Sequence, residues 1–420
     1  MDLFLQKISV KEVRHIKNLE IPINSKDKKH LLLTGKNGSG KTSILEALKN
    51  YLKGLENSQL SQVDNWINEE LEITNRIQKR LIRRETEEMP EETILQNENE
   101  IRNLENRKKN LENRLRPFRE VIPVFNSFST VQIRHQSGDF IVAYFDSKRT
   151  SQFSNPDGIK KIDIKKVYNL DETANQIFIQ HLVNLKADKS FARDDNDDKT
   201  IGHVDLWFEK FTDGLRDIFD EKKLDLQFDK KNYNFLLKLP DRNAVNFNTL
   251  SDGYSAILKI ITEVMFRMES KSSRLYDLQG IVIIDEIETH LHVELQKKIL
   301  PFLTTFFPRI QFIVSTHSPF VLSSIEDATI YDLEHKFHIE DLSGYSSEAI
   351  IESYFLSDKY SGVLKSKIER YTKLYSKKEL EEEELSEFEY LRNYLRNLPK
   401  FLAPELQLLV QNLELKELTK

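Results

Sequence analysis

Apolar and polar positions form distinct blocks along the chain, and each block predicts a type of element. Partial alternation over residues 4–13 and 19–23 predicts two strands, and the continuous apolar run 30–34 predicts a buried parallel strand. Residues 44–52 then carry apolar side chains at helical spacing. The chain is therefore expected to open with the strands and first helix of an α/β core.

The pattern changes over residues 56–118, where charged and amide side chains dominate and apolar positions are sparse. Two apolar series lie on either side of Pro90, a residue that interrupts helices. We predict a helical hairpin with two antiparallel arms, a short coiled coil; a helical pair packed on the main domain is the alternative. The basic stretches 79–84 and 107–109 are compatible with nucleic-acid contact, but such faces are more often solvated.

The remaining chain alternates between strand-like and helical patterns. Residues 119–185 are strand-like, notably 131–134 and 140–145, and 186–200 are expected to form a polar loop. The pattern then predicts a helix over 203–220, a hairpin over 223–248, a helix over 253–268, a strand over 280–284, a helix over 291–304 and a strand over 310–315. Such alternation predicts a parallel α/β sheet, followed by a charged helical region.

Composition narrows the class of protein. With 420 residues, 39% hydrophobic residues and a net charge of −6, the chain is expected to fold into two or three domains. The absence of cysteine excludes disulfides, thiol nucleophiles and cysteine metal sites, and it favours a reducing compartment. Neither a long apolar run nor a signal-peptide pattern is present, so we expect a soluble, cytoplasmic protein without a membrane partner.

Glycine is sparse, at 12 residues, yet it clusters in one segment, Gly35-Lys36-Asn37-Gly38-Ser39-Gly40-Lys41-Thr42. This segment fits the phosphate-binding P-loop pattern and lies between a predicted buried strand and a predicted helix. In a P-loop the backbone N–H groups surround a phosphate, the lysine reaches the β- and γ-phosphates, and the hydroxyl after it binds Mg²⁺. We therefore predict an ATP site, with Mg²⁺ as cofactor, formed by Gly35, Lys36, Asn37, Gly38, Ser39, Gly40, Lys41, Thr42 and Ser43.

Two carboxylates follow the apolar strand at 281–284. Asp285 and Glu286 would lie at the carboxyl edge of a parallel sheet, where such sheets bind ligands. Beside a P-loop, we predict that Asp285 holds Mg²⁺ together with Thr42, and that Glu286 is the catalytic base that polarises the attacking water. The alternative is a strand that simply ends in solvated acids.

Two further motifs resemble those of ABC-type ATPases. Ser251-Asp252-Gly253, at the predicted start of a helix, resembles the signature motif, whose serine and glycine bind the γ-phosphate held by the opposite subunit. An ordinary N-cap serine is the alternative, and the sequence departs from the commoner Ser-Gly-Gly. His317 follows an apolar strand and resembles the switch histidine of the same family, which implies a catalytic role.

Other positions are less specific. Residues 288–292 resemble the D-loop region, which we prefer to a His-x-His metal site because no third ligand lies nearby in the sequence. Gln132, Gln136 and Gln152 are all candidates for the Q-loop glutamine, and Arg14 resembles the early basic position near the nucleotide. Residues 194–205 imitate a calcium loop but lack its glycine and its final glutamate.

The four motifs occur in ABC order with a hairpin between the first two, and they resemble the SMC, RecF and OLD-like ATPases. The resemblance implies an ABC-type P-loop ATPase head of class α/β, formed by residues 1–55 and 119–335. It also implies an inserted hairpin at 56–118 and a C-terminal helical region at 336–420. Heads of this group assemble around ATP, so a homodimer or higher homo-oligomer is expected.

Missing features separate the members of that group. The chain has no membrane domain, no second P-loop, no SMC-length arm and no Asp-x-Asp pair after His317 of the kind found in TOPRIM nucleases. It is most similar to the stand-alone ATPases of bacterial two-gene antiphage systems, of the PARIS AriA type or the Septu PtuA type. This resemblance implies regulation of a separate effector protein, a nuclease, with nucleic-acid binding not required. A RecF-like DNA-binding ATPase in repair and an ATP-binding scaffold without turnover are the alternatives.

Overall fold

The computed structural model describes residues 2–56, 59–86, 90–149, 152–240, 243–269, 276–339, 341–347, 349–350, 362–375, 377 and 381–396. The chain divides into two compact units, Met1–Tyr345 and Ser346–Lys420. Among the helices in these ranges, none combines the length and the apolar character that crossing a bilayer requires.

Within the residues described, the first unit contains three sheets. Its strands are β1 (Leu5–Val13), β2 (Ile16–Pro22), β3 (His30–Thr34), β4 (Val121–Phe125), β5 (Phe140–Phe145), β6 (Asp225–Asp229), β7 (Asn234–Lys238), β8 (Val245–Asn246), β9 (Gln279–Ile284), β10 (Ile310–Ser315), β11 (Ala328–Asp332) and β12 (Phe337–Ile339). Its helices are α1 (Lys41–Leu52), α2 (Val63–Thr86), α3 (Glu91–Glu120), α4 (Phe128–Gln136), α5 (Phe178–Asp194), α6 (Asp198–Phe219), α7 (Asp252–Met268), α8 (Val293–Phe306) and α9 (Pro319–Leu322). Short 3₁₀ turns cover Lys53–Leu55, Gln59–Gln62, Ala174–Ile177 and Phe247–Thr249.

The central sheet has the strand order β12-β11-β3-β10-β9-β5, and all its pairings are parallel except that of the edge strand β12. Every residue of β3, β9 and β10 is buried, as expected for parallel strands covered on both faces. The predicted α/β class with a parallel sheet is confirmed. Because the strands run parallel, the carboxyl ends of β3, β5, β9, β10 and β11 lie along one edge.

Helix α1 is fixed by the core. Its Ile44 and Leu48 are fully buried in the same cluster as Ile8 of β1, Leu31 of β3 and Ile313 of β10. The antiparallel sheet β2-β1-β4 contributes to this cluster, whereas β6-β7-β8 forms a separate antiparallel sheet. Burial of α1 therefore fixes the position of the glycine-rich loop that leads into it.

Helices α2 and α3 lie side by side as a hairpin, and α3 continues directly into β4. Few apolar side chains of this hairpin are buried. They include Ile73 of α2 and Ile101, Leu111 and Leu115 of α3. Pro90 occupies the N-cap position of α3, where its missing N–H costs nothing.

Three secondary-structure predictions were wrong. Residues 178–185, the end of the region 119–185 that was predicted to be strand-like, form the start of α5. Residues 131–134, predicted as a strand, lie within α4, where Val131 is buried and Ile133 is 67% exposed. The alternation was too short to separate a strand from one turn of an amphipathic helix. Residues 186–200, predicted as a polar loop, contain the end of α5 and the start of α6, and Asp197 caps α6 by accepting a hydrogen bond from the N–H of Thr200 at 3.1 Å.

The second unit contains α10 (Gly362–Tyr375) and α11 (Glu382–Arg396). The two helices share a small apolar cluster of Tyr371, Leu374, Phe388, Leu391 and Leu395. The part of the predicted C-terminal helical region beyond residue 396 lies outside the described residues.

Candidate functional site

The loop between β3 and α1 has a backbone that favours glycine. Gly35, Gly38 and Gly40 have φ values of +127°, +83° and +100°. A Cβ on Gly40 would also lie 2.4 Å from Cδ1 of Ile16, at the start of β2. Glycine is therefore favoured at all three positions by backbone conformation, and at Gly40 also by the closeness of Ile16.

Lys41 is the first residue of α1 and is only 5% exposed. Its Nζ donates to the carbonyl oxygens of Gly35 and Lys36, at 2.9 Å and 3.2 Å. Burial lowers the pKa of Lys41, and the negative charges of Glu286 and Glu288 oppose that shift. The ammonium group is thus held over the loop by weak carbonyl acceptors and lies close to carboxylates.

Asp285 follows the last residue of β9 and is 3% exposed. Its Oδ1 accepts hydrogen bonds from the Thr42 hydroxyl at 3.1 Å and from the Ser315 hydroxyl at 2.5 Å. The structure thus brings together side chains from the ends of three neighbouring elements. Glu286 follows with a φ of +46°, and its N–H donates to Ser315 Oγ at 2.7 Å.

His317 lies two residues beyond β10. Its N–H donates to Oε1 of Glu288 at 2.6 Å, which ties the segment after β10 to the segment after β9. Burial lowers the pKa of the His317 imidazole, and the positive charge of Lys41 lowers it further. Burial also raises the pKa of Glu288. The negative charges of Glu286 and Asp285 oppose the shift of His317, but the net effect favours the neutral form of its imidazole.

Ser251, Asp252 and Gly253 form the start of α7. The first two are exposed, and Ser251 occupies the N-cap position without using its side chain as a cap. A Cβ on Gly253 would lie 2.9 Å from the carbonyl oxygen of His290, so this glycine permits close approach to the segment after β9. Within the described part of the chain, no hydrogen bond or ion pair joins these three residues to Gly35–Ser43.

The Q-loop candidates lie in different places. Gln132 and Gln136 are on α4. Because α4 directly precedes β5, they lie near the amino end of β5, away from the carboxyl edge of the sheet. Gln152 is exposed and follows the carboxyl end of β5. Arg14 is in the tight turn between β1 and β2. The two residues that follow it, His15 and Ile16, are the ones that a Cβ on Gly40 would meet.

Two features of this edge were missed by the sequence analysis. Arg149, in the loop after β5, is 1% exposed, and its guanidinium donates to main-chain carbonyls at Asp285 and Glu286. Its only sequence signal was a cation four residues beyond an apolar strand. After β11, Glu334 forms an ion pair of 2.5 Å with Lys36 of the loop.

The donor set fits a magnesium nucleotide. A hydroxyl and a carboxylate, at Thr42 and Asp285, offer the oxygen ligands that Mg²⁺ prefers. Magnesium at nucleotide sites takes further ligands from water and phosphate, so two protein oxygens suffice. The loop N–H groups, Lys41 and the start of α1 supply positive potential for a polyphosphate.

The chain is similar to known proteins in sequence. The family model described as "AAA domain, putative AbiEii toxin, Type IV TA system" matches residues 31–323. Septu protein PtuA from Bacillus mycoides (strain KBAB4) is 26% identical over 334 residues, covering 78% of this chain and 40% of that protein. The probable ATPase of retron Ec83 from Escherichia coli is 34% identical over 139 residues, covering 32% and 25% respectively. The chain thus spans less than half the length of these two relatives.

Among solved structures, the chain resembles an SMC head bound to the C-terminal winged-helix domain of ScpA. The TM-score is 0.39 at 12% sequence identity, with 78% of this chain and 93% of that chain covered.

Proposed function

The chain belongs to the family of AAA-domain ATPases whose model matches residues 31–323, and we propose that it binds and hydrolyses ATP at the carboxyl edge of its parallel sheet. The observation that carries this proposal is the meeting of Thr42, Asp285 and Ser315 beside Lys41. Three elements far apart in sequence place a cation, a hydroxyl and a carboxylate in one small region. That combination suits transfer of a phosphoryl group to water.

The loop residues Gly35, Lys36, Asn37, Gly38, Ser39, Gly40, Lys41, Thr42 and Ser43 bind the phosphates in this proposal. Lys41 exchanges the carbonyls of Gly35 and Lys36 for the β- and γ-phosphate oxygens. The exchange is favourable because an anionic oxygen is a stronger partner for an ammonium than a carbonyl is.

Thr42 and Asp285 would hold Mg²⁺. The ion neutralises charge on the phosphates when it is bound. Ser315 donates to the same carboxylate oxygen that accepts from Thr42, so it fixes the rotation of the Asp285 side chain.

Glu286 accepts a proton from the attacking water. The oxygen of that water bonds to the γ-phosphorus while the bond between the γ-phosphorus and the bridging oxygen of the β-phosphate breaks. Burial lowers the pKa of His317 and so favours its neutral form, which can hydrogen-bond the γ-phosphate or the water without adding charge.

The signature segment completes the site of a second copy. Ser251 and Asp252 are exposed at the start of a 17-residue helix, and the Ser251 hydroxyl is not used as a cap. In a homodimer, or in a higher homo-oligomer, Ser251, Asp252 and Gly253 would bind ATP held by the other subunit.

We extend the proposal to antiphage defence on the basis of the similarity to Septu PtuA and to the retron ATPase. The ATPase would act in the cytoplasm on a separate effector, a nuclease, held by the α2–α3 hairpin or by residues 336–420. Closure of two heads on ATP would move these parts, and phage infection would shift that equilibrium.

The experiment co-expresses the chain with its genomic neighbour and measures ATP binding, plating efficiency of phage and co-purification. Lys41→Ala should abolish ATP binding and protection, whereas the control Lys17→Ala, at an exposed ion pair with Glu12, should change neither. Protection by the Lys41→Ala form would refute the proposal. Salt-dependent duplex-DNA binding without an effector would favour the RecF-like alternative.

The composite site has its own test. Lys41→Ala and Ser251→Arg proteins should each be inactive alone, and mixing them should restore part of the turnover, because a mixed dimer has one intact site. If Ser251→Arg alone keeps its activity and mixing merely adds the two rates, the sites act within single chains.

A further inference from the structure

Arg149 is a buried cation whose partners in the described chain are main-chain carbonyls. It donates to the carbonyl oxygens of Asp285 at 2.6 Å, Glu286 at 2.7 Å and Asp146 at 3.1 Å. At 1% exposure a guanidinium loses its hydration, and burial lowers its pKa accordingly. The guanidinium therefore contacts two successive main-chain carbonyls at the acidic edge of the sheet.

The residue it contacts has a rare backbone conformation. Glu286 is not glycine, yet its φ is +46°, a region that side chains disfavour. Its N–H donates to Ser315 Oγ at 2.7 Å, and its carbonyl accepts from Arg149 on the other side. The main-chain N–H and carbonyl of Glu286 are thus held from β10 and from the loop after β5, and the carbonyl also accepts the N–H of Thr289 at 3.0 Å. A strained conformation persists when its surroundings determine it in this way.

We propose that Arg149 is a positioning residue, which holds the main chain of Asp285 and Glu286 so that the Glu286 carboxylate faces the phosphate site. This inference rests on the proposed ATPase function. Arginine suits the task because its planar group carries several N–H donors at fixed spacing and can bridge successive carbonyls. Lysine has one charged nitrogen on a flexible stem and cannot hold both in the same geometry.

Arg267 provides a matched control. It is also buried, at 5% exposure, and it donates to main-chain carbonyls, including those of Val142 and Asn169. It pairs with Glu263 and has no hydrogen bond to Asp285 or Glu286 in the described residues. Replacing it tests the cost of disturbing a buried arginine away from the two acidic residues.

The experiment uses the full chain with ATP and the fluorescent analogue mant-ATP. Arg149→Lys should keep mant-ATP affinity within about threefold and lower kcat by about 10- to 100-fold, because the base is misplaced rather than removed. Arg267→Lys should keep kcat within about threefold once its folded fraction is matched. In the Glu286→Gln background, Arg149→Lys should cause no further loss, because it acts through Glu286. Unchanged kcat in Arg149→Lys, an equal loss in Arg267→Lys, or a further loss in the double variant would each overturn the inference.

A structural readout separates this inference from the ATPase proposal. In a crystal structure of Arg149→Lys, or of Arg149→Gln if the lysine form does not fold, Glu286 should relax to negative φ. Retention of positive φ would contradict the positioning role even if the wild type had no turnover. Absent turnover in a wild type that binds ATP would instead contradict the proposed hydrolysis alone.

Discussion

The carboxyl edge of the parallel sheet and the α2–α3 hairpin use polar groups in opposite ways. At the edge, Asp285 and Arg149 are almost completely buried, and each is held by hydrogen bonds from other elements. In the hairpin, charged side chains that are at least a third exposed pair across the two helices, as in Arg107 with Glu69 and Arg84 with Glu98. Charged residues therefore fix the main-chain and side-chain geometry at the sheet edge, whereas in the hairpin they mainly keep the helix surface solvated.

The difference follows from the local dielectric. A buried polar group that loses its partner cannot recover a bond to water, so its replacement costs the full desolvation penalty. An exposed ion pair exchanges readily with water and salt. Single-atom changes should therefore have large effects at the edge and small effects on the hairpin.

The largest effect is expected for Glu286→Gln. The amide keeps the shape of the side chain but cannot accept the proton of water, so turnover should fall by about 100-fold or more while ATP binding is retained. Glu294→Gln on α8, an exposed carboxylate paired with Lys297, is the matched control and should retain turnover. Steady-state ATPase rates and mant-ATP titrations decide the matter; unchanged turnover in Glu286→Gln would show that another group is the base.

Local motifs predicted the parts of this edge that are continuous in sequence. Residues 35–42 and 281–286 could be found because, in each motif, the strand and the functional residues are neighbours in the sequence. Arg149 could not be found, because the carbonyls of Asp285 and Glu286 that it contacts lie more than a hundred residues away and carry no side-chain signal. The predicted strand at 131–134 and loop at 186–200 failed for a related reason, since tertiary burial of Val131 and Ala187 decided between weak local preferences.

An intermediate effect is expected when the pH is lowered. The free energy of unfolding should fall because of a buried histidine in the central sheet. His30 begins β3, and its Nδ1 accepts the N–H of Phe312, so the ring is neutral in the folded protein. Burial lowers its pKa from 6.5 to about 3. The unfolded chain therefore binds a proton that the folded chain does not, and stability present above pH 6.5 is lost as the pH falls toward about 3.

Replacing His30 tests this assignment. His30→Gln keeps a hydrogen-bond acceptor but does not titrate. As the pH is lowered from 6.5 to 4, its free energy of unfolding should therefore fall less steeply than that of the wild type, by up to about 1.4 kcal/mol per pH unit. His203→Gln, at an exposed position on α6, is the control for the replacement of a histidine by glutamine. Denaturant unfolding at several pH values measures both, and identical slopes in wild type and His30→Gln would disprove the assignment.

The smallest effect is expected at the hairpin ion pair of Arg107 and Glu69. The Arg107 Nε lies 3.0 Å from Oε1 of Glu69, and the two side chains are 61% and 34% exposed. Exposed pairs of this kind contribute about 0.2–1 kcal/mol, because Coulomb attraction is screened and two long side chains lose rotamer freedom. A double-mutant cycle with Arg107→Gln and Glu69→Gln should give a coupling in this range at about 0.05 M salt, and almost none at about 0.5 M salt, where the Debye length is short. A coupling above about 2 kcal/mol that persists in high salt would mean that the hairpin shares the rigidity of the sheet edge, and the contrast between the two regions would no longer hold.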